Sequence, residues 1–136
     1  MNEKLQEIAY QINRGNVPGG NTFSAEFNEQ TGTVTVENSE SPDAVVIVVA
    51  TDTQILTITP LFEESSVSEE HRAELNRGLL TISLPMALSS VALQDDRYVL
   101  FGAMAIETTM NNLLHEIEVQ IDNYNDVLEA VADYIQ

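Results

Sequence analysis

The chain has 136 residues, 43% of them hydrophobic and 20% charged, which is globular rather than disordered composition and long enough to bury a core without metal or disulfide staples. With 22 acids against 5 bases the net charge is -17, which argues against direct binding of nucleic acid or anionic lipid, since only Lys4, Arg14, Arg72, Arg77 and Arg97 could meet phosphates. The lack of cysteine removes disulfides and thiolate chemistry, and with no signal-like opening and no apolar run near the ~20 residues of a membrane helix the expectation is one cytoplasmic domain, residues 1–136.

Residues 2–13 place Leu5, Ile8, Ala9 and Ile12 at helical spacing behind Asn2 as a cap, and Gly15 supplies a left-handed residue past the helix end. Pro18, Gly19 and Gly20 then form a loop. Alternating runs at 22–28 and 33–37, joined through Gly32, predict a hairpin. Residues 44–50, AVVIVVA, predict a strand covered on both faces. In 55–62, Leu56, Ile58 and Phe62 share one face and Thr57 and Thr59 the other, while Pro60 predicts an edge position or a strand end.

Ser66 and Glu69 have capping-box spacing, so a helix is expected to start there, with Leu75, Gly78, Leu79 and Ile82 inward and Pro85 beyond its end. Residues 79–84 alternate as well, and so fit either helix or strand. Asp95 and Asp96 sit between runs 90–94 and 97–105, the pattern of a tight hairpin. In the second run both sides are apolar, and Gly102 marks a place where a helix or backbone comes close.

From Glu107 to the end, Leu113, Leu114, Ile117, Ile121, Tyr124, Leu128, Val131 and Ile135 recur at intervals of three and four, as in one long helix or two abutting ones. The other face is expected to be acidic, with Glu107, Glu116, Glu118, Asp122, Asp126, Glu129 and Asp133 and no base. Glu129 and Asp133 oppose the helix dipole, a penalty that a cation from another chain would remove. The acidic surplus reads either as a solubilising surface or as an attractor of basic protein partners.

This order, α-β-β-β-β-α-β-β-α, gives an α+β fold: an antiparallel sheet of five or six strands with three helices. It resembles the type III secretion chaperones and the YbjN-like proteins. Residues 84–105, LPMALSSVALQDDRYVLFGAMA, followed by 111–131, NNLLHEIEVQIDNYNDVLEAV, are similar to the uncharacterised bacterial YjfI family. The resemblance is carried by a proline turn ending in serine, an aromatic-leucine-phenylalanine-glycine run and an acidic helix with the internal Asn123. It brings no reaction and no catalytic residue, and it weakens toward the N-terminus. Members are often encoded beside relatives of PspA, a charged membrane-remodelling coiled coil, which implies a protein partner.

Chemistry finds little support among the residues. Glu63-Glu64, Glu69-Glu70 and Asp95-Asp96 are adjacent pairs on turns and helix starts, whereas acid/base work needs two carboxyls in contrasting environments. His71 with Glu74 and His115 with Glu118 have helical spacing that could supply two metal ligands, short of the three a catalytic site generally uses. The glycine-rich stretch 16–21 runs from helix to strand, the reverse of a phosphate loop. No cofactor or metal is expected. The leading reading is a non-catalytic protein-interaction or chaperone-like adaptor, a small acidic homodimer whose strands carry more apolar surface than its helices hide. Its partner-binding residues are expected to be Glu116, Glu118, Asp122, Asp126, Glu129 and Asp133. The alternatives are a structural domain, or a hydrolytic or metal-dependent enzyme using surface Asp, Glu or His.

Overall fold

In the computed structural model, which describes residues 2–15 and 22–135, three helices lie against a six-stranded antiparallel sheet. The glycine-rich stretch 16–21 falls outside the described residues. Helix α1 (Asn2–Asn13) buries Leu5, Ile8, Ala9 and Ile12, with Asn2 already its first residue. Past its end Gly15 takes φ +79° and donates its N–H to the Ile12 carbonyl at 3.0 Å, the left-handed stop that its position implies.

Strands β1 (Phe23–Asn28) and β2 (Thr33–Asn38) form the expected hairpin. They are followed by β3 (Val46–Ala50), β4 (Gln54–Glu63), helix α2 (Arg72–Ser83), β5 (Ser90–Gln94), β6 (Arg97–Ala105) and helix α3 (Met110–Val131). Asp95 makes the β5–β6 turn with φ +55°. The sheet order is β1-β2-β3-β4-β6-β5.

One face of this sheet meets all three helices. Val34, Val36, Val46, Val48, Ile55 and Leu100 point toward them and join α1, α2 and α3 side chains in one core cluster. α1 packs on β1 to β3, α3 on β3, β4 and β6, and α2 on β5. AVVIVVA is therefore covered on one face rather than both: Val46 and Val48 are buried, while Val45, Ile47 and Val49 stay half-exposed opposite.

Strand β4 departs from expectation twice. It is central, between β3 and β6, despite Pro60. The proline is accommodated because pairing with β3 begins only at Ile47↔Ile58 and the β6 register shifts between Pro60 and Phe62. That bulge also moves Phe62 to the helix side, where its ring lies 5.0 Å from that of Tyr98, so it does not share a face with Leu56 and Ile58.

α2 begins later than the capping box implies. Ser66 closes a short 3-10 turn, and Val67 is drawn into a bridge with Ile135 and buried. A second 3-10 turn, Glu69–His71, leads into the helix. Residues 79–83 are helical. Leu75 and Leu79 face the core, but Gly78 is exposed with open space around it.

Candidate functional site

The alternation of β3, β4 and β6 leaves a second sheet face that no described helix covers. Register places Ile47, Val49, Leu56, Ile58, Val99 and Phe101 on it. Ile47, Val49, Leu56 and Ile58 are half-exposed and Phe101 is 36% exposed, whereas Val99 is buried among its neighbours, and none of the six belongs to the core cluster. Leu56, Ile58, Val99 and Phe101 line a shallow depression with Ala92 and Leu93. Toward β1 and β2 the same face turns polar through Thr33, Thr35, Glu26 and Glu37. The central strands thus present an apolar plateau, which water disfavours and a partner's apolar side chains would cover.

The acids of α3 lie on the opposite side of the molecule. Asp122, Asp126 and Glu129 are exposed along the helix, Asp133 is exposed in the 3-10 turn after it, and Glu118 is half-buried. They do not rim the apolar plateau, because α3 packs on the other sheet face. Glu107 precedes the helix altogether. Its start is capped instead by Thr109, whose hydroxyl accepts the Asn112 N–H at 3.2 Å.

Glu116 departs from the expected acidic surface: it is 5% exposed and points inward. Glu116, Gln120 and Asn123 form a buried polar line along α3. Gln120 Oε1 accepts the Thr57 hydroxyl at 2.9 Å, and its Nε2 donates to Thr59 Oγ1 at 2.8 Å. Asn123 Nδ2 donates to the Ala87 carbonyl at 2.7 Å and to Ser89 Oγ at 2.6 Å, tying down the α2–β5 connection.

Gly102 lets Glu116 fit. A methyl group there would come within 2.9 Å of the Leu88 carbonyl oxygen and 3.0 Å of Glu116 Oε1 and Thr57 Oγ1. The close approach expected at this glycine is thus real, with both a helix and a backbone segment converging on it. Glu116 Oε2 is buried without a hydrogen-bond partner, and burial pushes its carboxyl above the usual carboxylate range.

Of the two histidines, His71 belongs to a structural contact. His71 Nδ1 lies 2.8 Å from Ser68 Oγ, and the ring meets Tyr134 edge-on at 5.9 Å. Glu74 is engaged elsewhere, accepting the Tyr134 hydroxyl at 2.8 Å. His115 is exposed. Among the described residues no three His, Asp or Glu side chains are grouped to hold a metal ion. Glu63 pairs with Arg97 at 2.6 Å, and Asp95 and Asp96 are exposed in their turn. None of the described helices is long and apolar enough to cross a membrane.

The inward polar line was missed from sequence because its acid was grouped with the others by charge alone. Spacing held the signal: Glu116 stands three residues after Leu113 and four before Gln120, within the stripe that faces the sheet.

Comparison with known proteins places this architecture. The chain is 28% identical over 103 residues to "Uncharacterized protein YjfI" of Escherichia coli K12, covering 73% of this chain and 76% of that protein. Among solved structures it is similar to YbjN of E. coli, titled a putative transcription regulator, with a TM-score of 0.68, 14% identity and coverage of 99% and 94% of the two chains. It is similar also to a chain of the HopA1-SchA chaperone-effector complex, with a TM-score of 0.64, 14% identity and coverage of 94% and 95%. At that identity the structural likeness shows the fold, which is the secretion-chaperone and YbjN arrangement. The sequence match extends beyond the segments that carry the YjfI resemblance: from residue 3 to residue 135 the chain belongs to the bacterial family described as "Uncharacterized protein conserved in bacteria (DUF2170)".

Proposed function

We propose that this protein is a non-catalytic, chaperone-like adaptor that binds a protein partner and acts as a dimer. The observation that carries the reading is the uncovered apolar face of β3, β4 and β6, with Ile47, Leu56, Ile58 and Phe101 left open by helices that all pack on the other side. One structure that shares the fold is a chaperone-effector complex, which supports a partner-binding role. On the far side, Glu118, Asp122, Asp126, Glu129 and Asp133 are the residues we assign to long-range attraction of a basic partner. Glu116 is left out of that set because it is buried. A PspA-like coiled coil is the partner candidate that the family resemblance supplies.

The test is capture from a native extract on the tagged full-length chain. Leu56→Thr with Ile58→Thr keeps strand-compatible residues on the open face while removing its oil. The double variant is expected to melt within a few degrees of the wild type and to lose the captured partner. Asp122→Lys with Glu129→Lys is expected to weaken capture at low salt and leave the fold intact. Undiminished capture by the threonine variant would overturn the assignment of the sheet face.

A further inference from the structure

A second apolar surface lies at the β5 edge of the sheet, away from the plateau's centre. Leu80 on α2 and Leu84, which caps its C-terminal end, are 72% and 92% exposed, and Leu88 and Leu93 are each 49% exposed. Leu80 borders two adjoining depressions. One is shared with Leu79, Val91, Leu93 and Tyr98, the other with Leu84, Met86 and Leu88. The leucines therefore form one strip from the hairpin, along α2, to the connection before β5. A leucine at 92% exposure stabilises no part of its own domain, and four large exposed apolar side chains together exceed the scattered singles normal on a surface.

Charge identifies the occupant. From Leu79 to Gln94 the sequence is LLTISLPMALSSVALQ, sixteen residues without one charge in a chain of net -17. Acids stand at its margins, Asp126 of α3 beside Pro85 and Met86 and the pair Asp95 and Asp96 beyond Leu93, so the leucines themselves offer a basic partner no charge. For two copies of this chain the argument reverses. Each carries the same large negative charge, so they can approach closely only where neither presents an acid. A leucine surface is also complementary to itself, as a twofold contact requires.

The edge chemistry points the same way. Ser83 Oγ accepts the Val91 N–H at 3.1 Å while donating to the Leu79 carbonyl at 2.8 Å, so α2 seals this part of the outer edge of β5. An added strand would find the Val91 donor taken, and the strip offers side chains in place of backbone. We infer that the strip of Leu80, Leu84, Leu88 and Leu93 is where a second copy of this chain docks. This rests on the reading of the protein as a dimeric adaptor and sets the dimer contact beside the partner-binding face, the two meeting at Leu93, which borders a depression on each.

The test measures molar mass by light scattering on the purified full-length protein. The wild type is expected to be a dimer, Leu80→Glu with Leu84→Glu a monomer of unchanged circular dichroism, and Leu56→Thr with Ile58→Thr still a dimer. Because the chain has no cysteine, a second readout is available: Leu84→Cys should give a covalent dimer with a short bismaleimide, whereas Asp122→Cys should not. A glutamate variant that remains dimeric, or cross-linking at Asp122→Cys and not at Leu84→Cys, overturns the location and leaves the dimer reading standing. Loss of the dimer in the threonine variant alone would move the contact to the sheet face and overturn it equally. A monomeric wild type overturns the strip and the dimer together, and capture by the sheet face is then judged by its own experiment.

Discussion

Gly102 and Glu116 constrain each other. The missing side chain at position 102 makes room for a carboxyl among Thr57, the Leu88 carbonyl and α3, and no base faces it in any described ion pair. Burial favours the neutral acid, so the folded-state pKa is raised above that of the unfolded chain. The sign follows by linkage. Below the unfolded pKa both states hold the proton and the fold has its full stability. As pH rises, the unfolded chain releases the proton first, and stability falls until pH has passed through the raised folded value. Glu116→Gln is neutral throughout, so it should match the wild type at low pH and become progressively more stable than it as pH climbs through that window. Urea midpoints of both proteins across the range check this, and a constant difference between them would show that folding leaves the Glu116 carboxyl unshifted. The sequence betrays the glycine but hides its companion. A glycine within an apolar strand already implies a close neighbour, whereas an acid on an acidic helix reads as surface until its spacing from Leu113 and Gln120 is weighed.

At the scale of elements, turn chemistry made the fold legible. Gly32, Gly15 and the Asp95-Asp96 pair mark chain reversals that depend on local backbone alone, and both hairpins stand where they imply. What failed depended on distant segments. α2 starts late because Val67 is claimed by Ile135, half the chain away, and Phe62 changes face because of a bulge that periodicity cannot register. Thr57 and Thr59, polar in an apolar strand, face the core because Gln120 bonds both, and that pushes Leu56 and Ile58 to the open side. The apolar plateau was therefore anticipated in kind, while its facing was set by a glutamine sixty residues on. Edge control is a second product of distant contacts. Asn13, at the end of α1, donates to the Ala25 carbonyl and accepts the Ala25 N–H, both at 2.8 Å, and so occupies β1 as a neighbouring strand would. Asn13→Ala should lower stability by about 1 kcal/mol, the usual net worth of such bonds, and speed aggregation of the concentrated protein. Denaturant midpoints and turbidity on standing measure the two effects, and an unchanged midpoint would mean the clamp contributes nothing.

At the scale of the whole molecule, the proposed division of surfaces would give salt two opposite roles. A chain of net -17 that dimerises through a neutral strip must bring two like-charged bodies together without a compensating ion pair at the contact. Shortening the Debye length from roughly 10 Å at 0.1 M to 3 Å at 1 M removes much of that repulsion while leaving the leucine contact intact. Self-association should therefore tighten as salt rises. If a basic partner is recruited along Asp122, Asp126, Glu129 and Asp133, as proposed above, the attraction acts across the same solvent and should weaken over the same range. Sedimentation equilibrium of the pure protein and capture from extract, run in matched buffers from low to high salt, give the two slopes. Opposite signs are the expected result. A dimer that loosens with salt would put charged groups at its contact, and the uncharged strip from Leu79 to Gln94 could then not be where the copies meet.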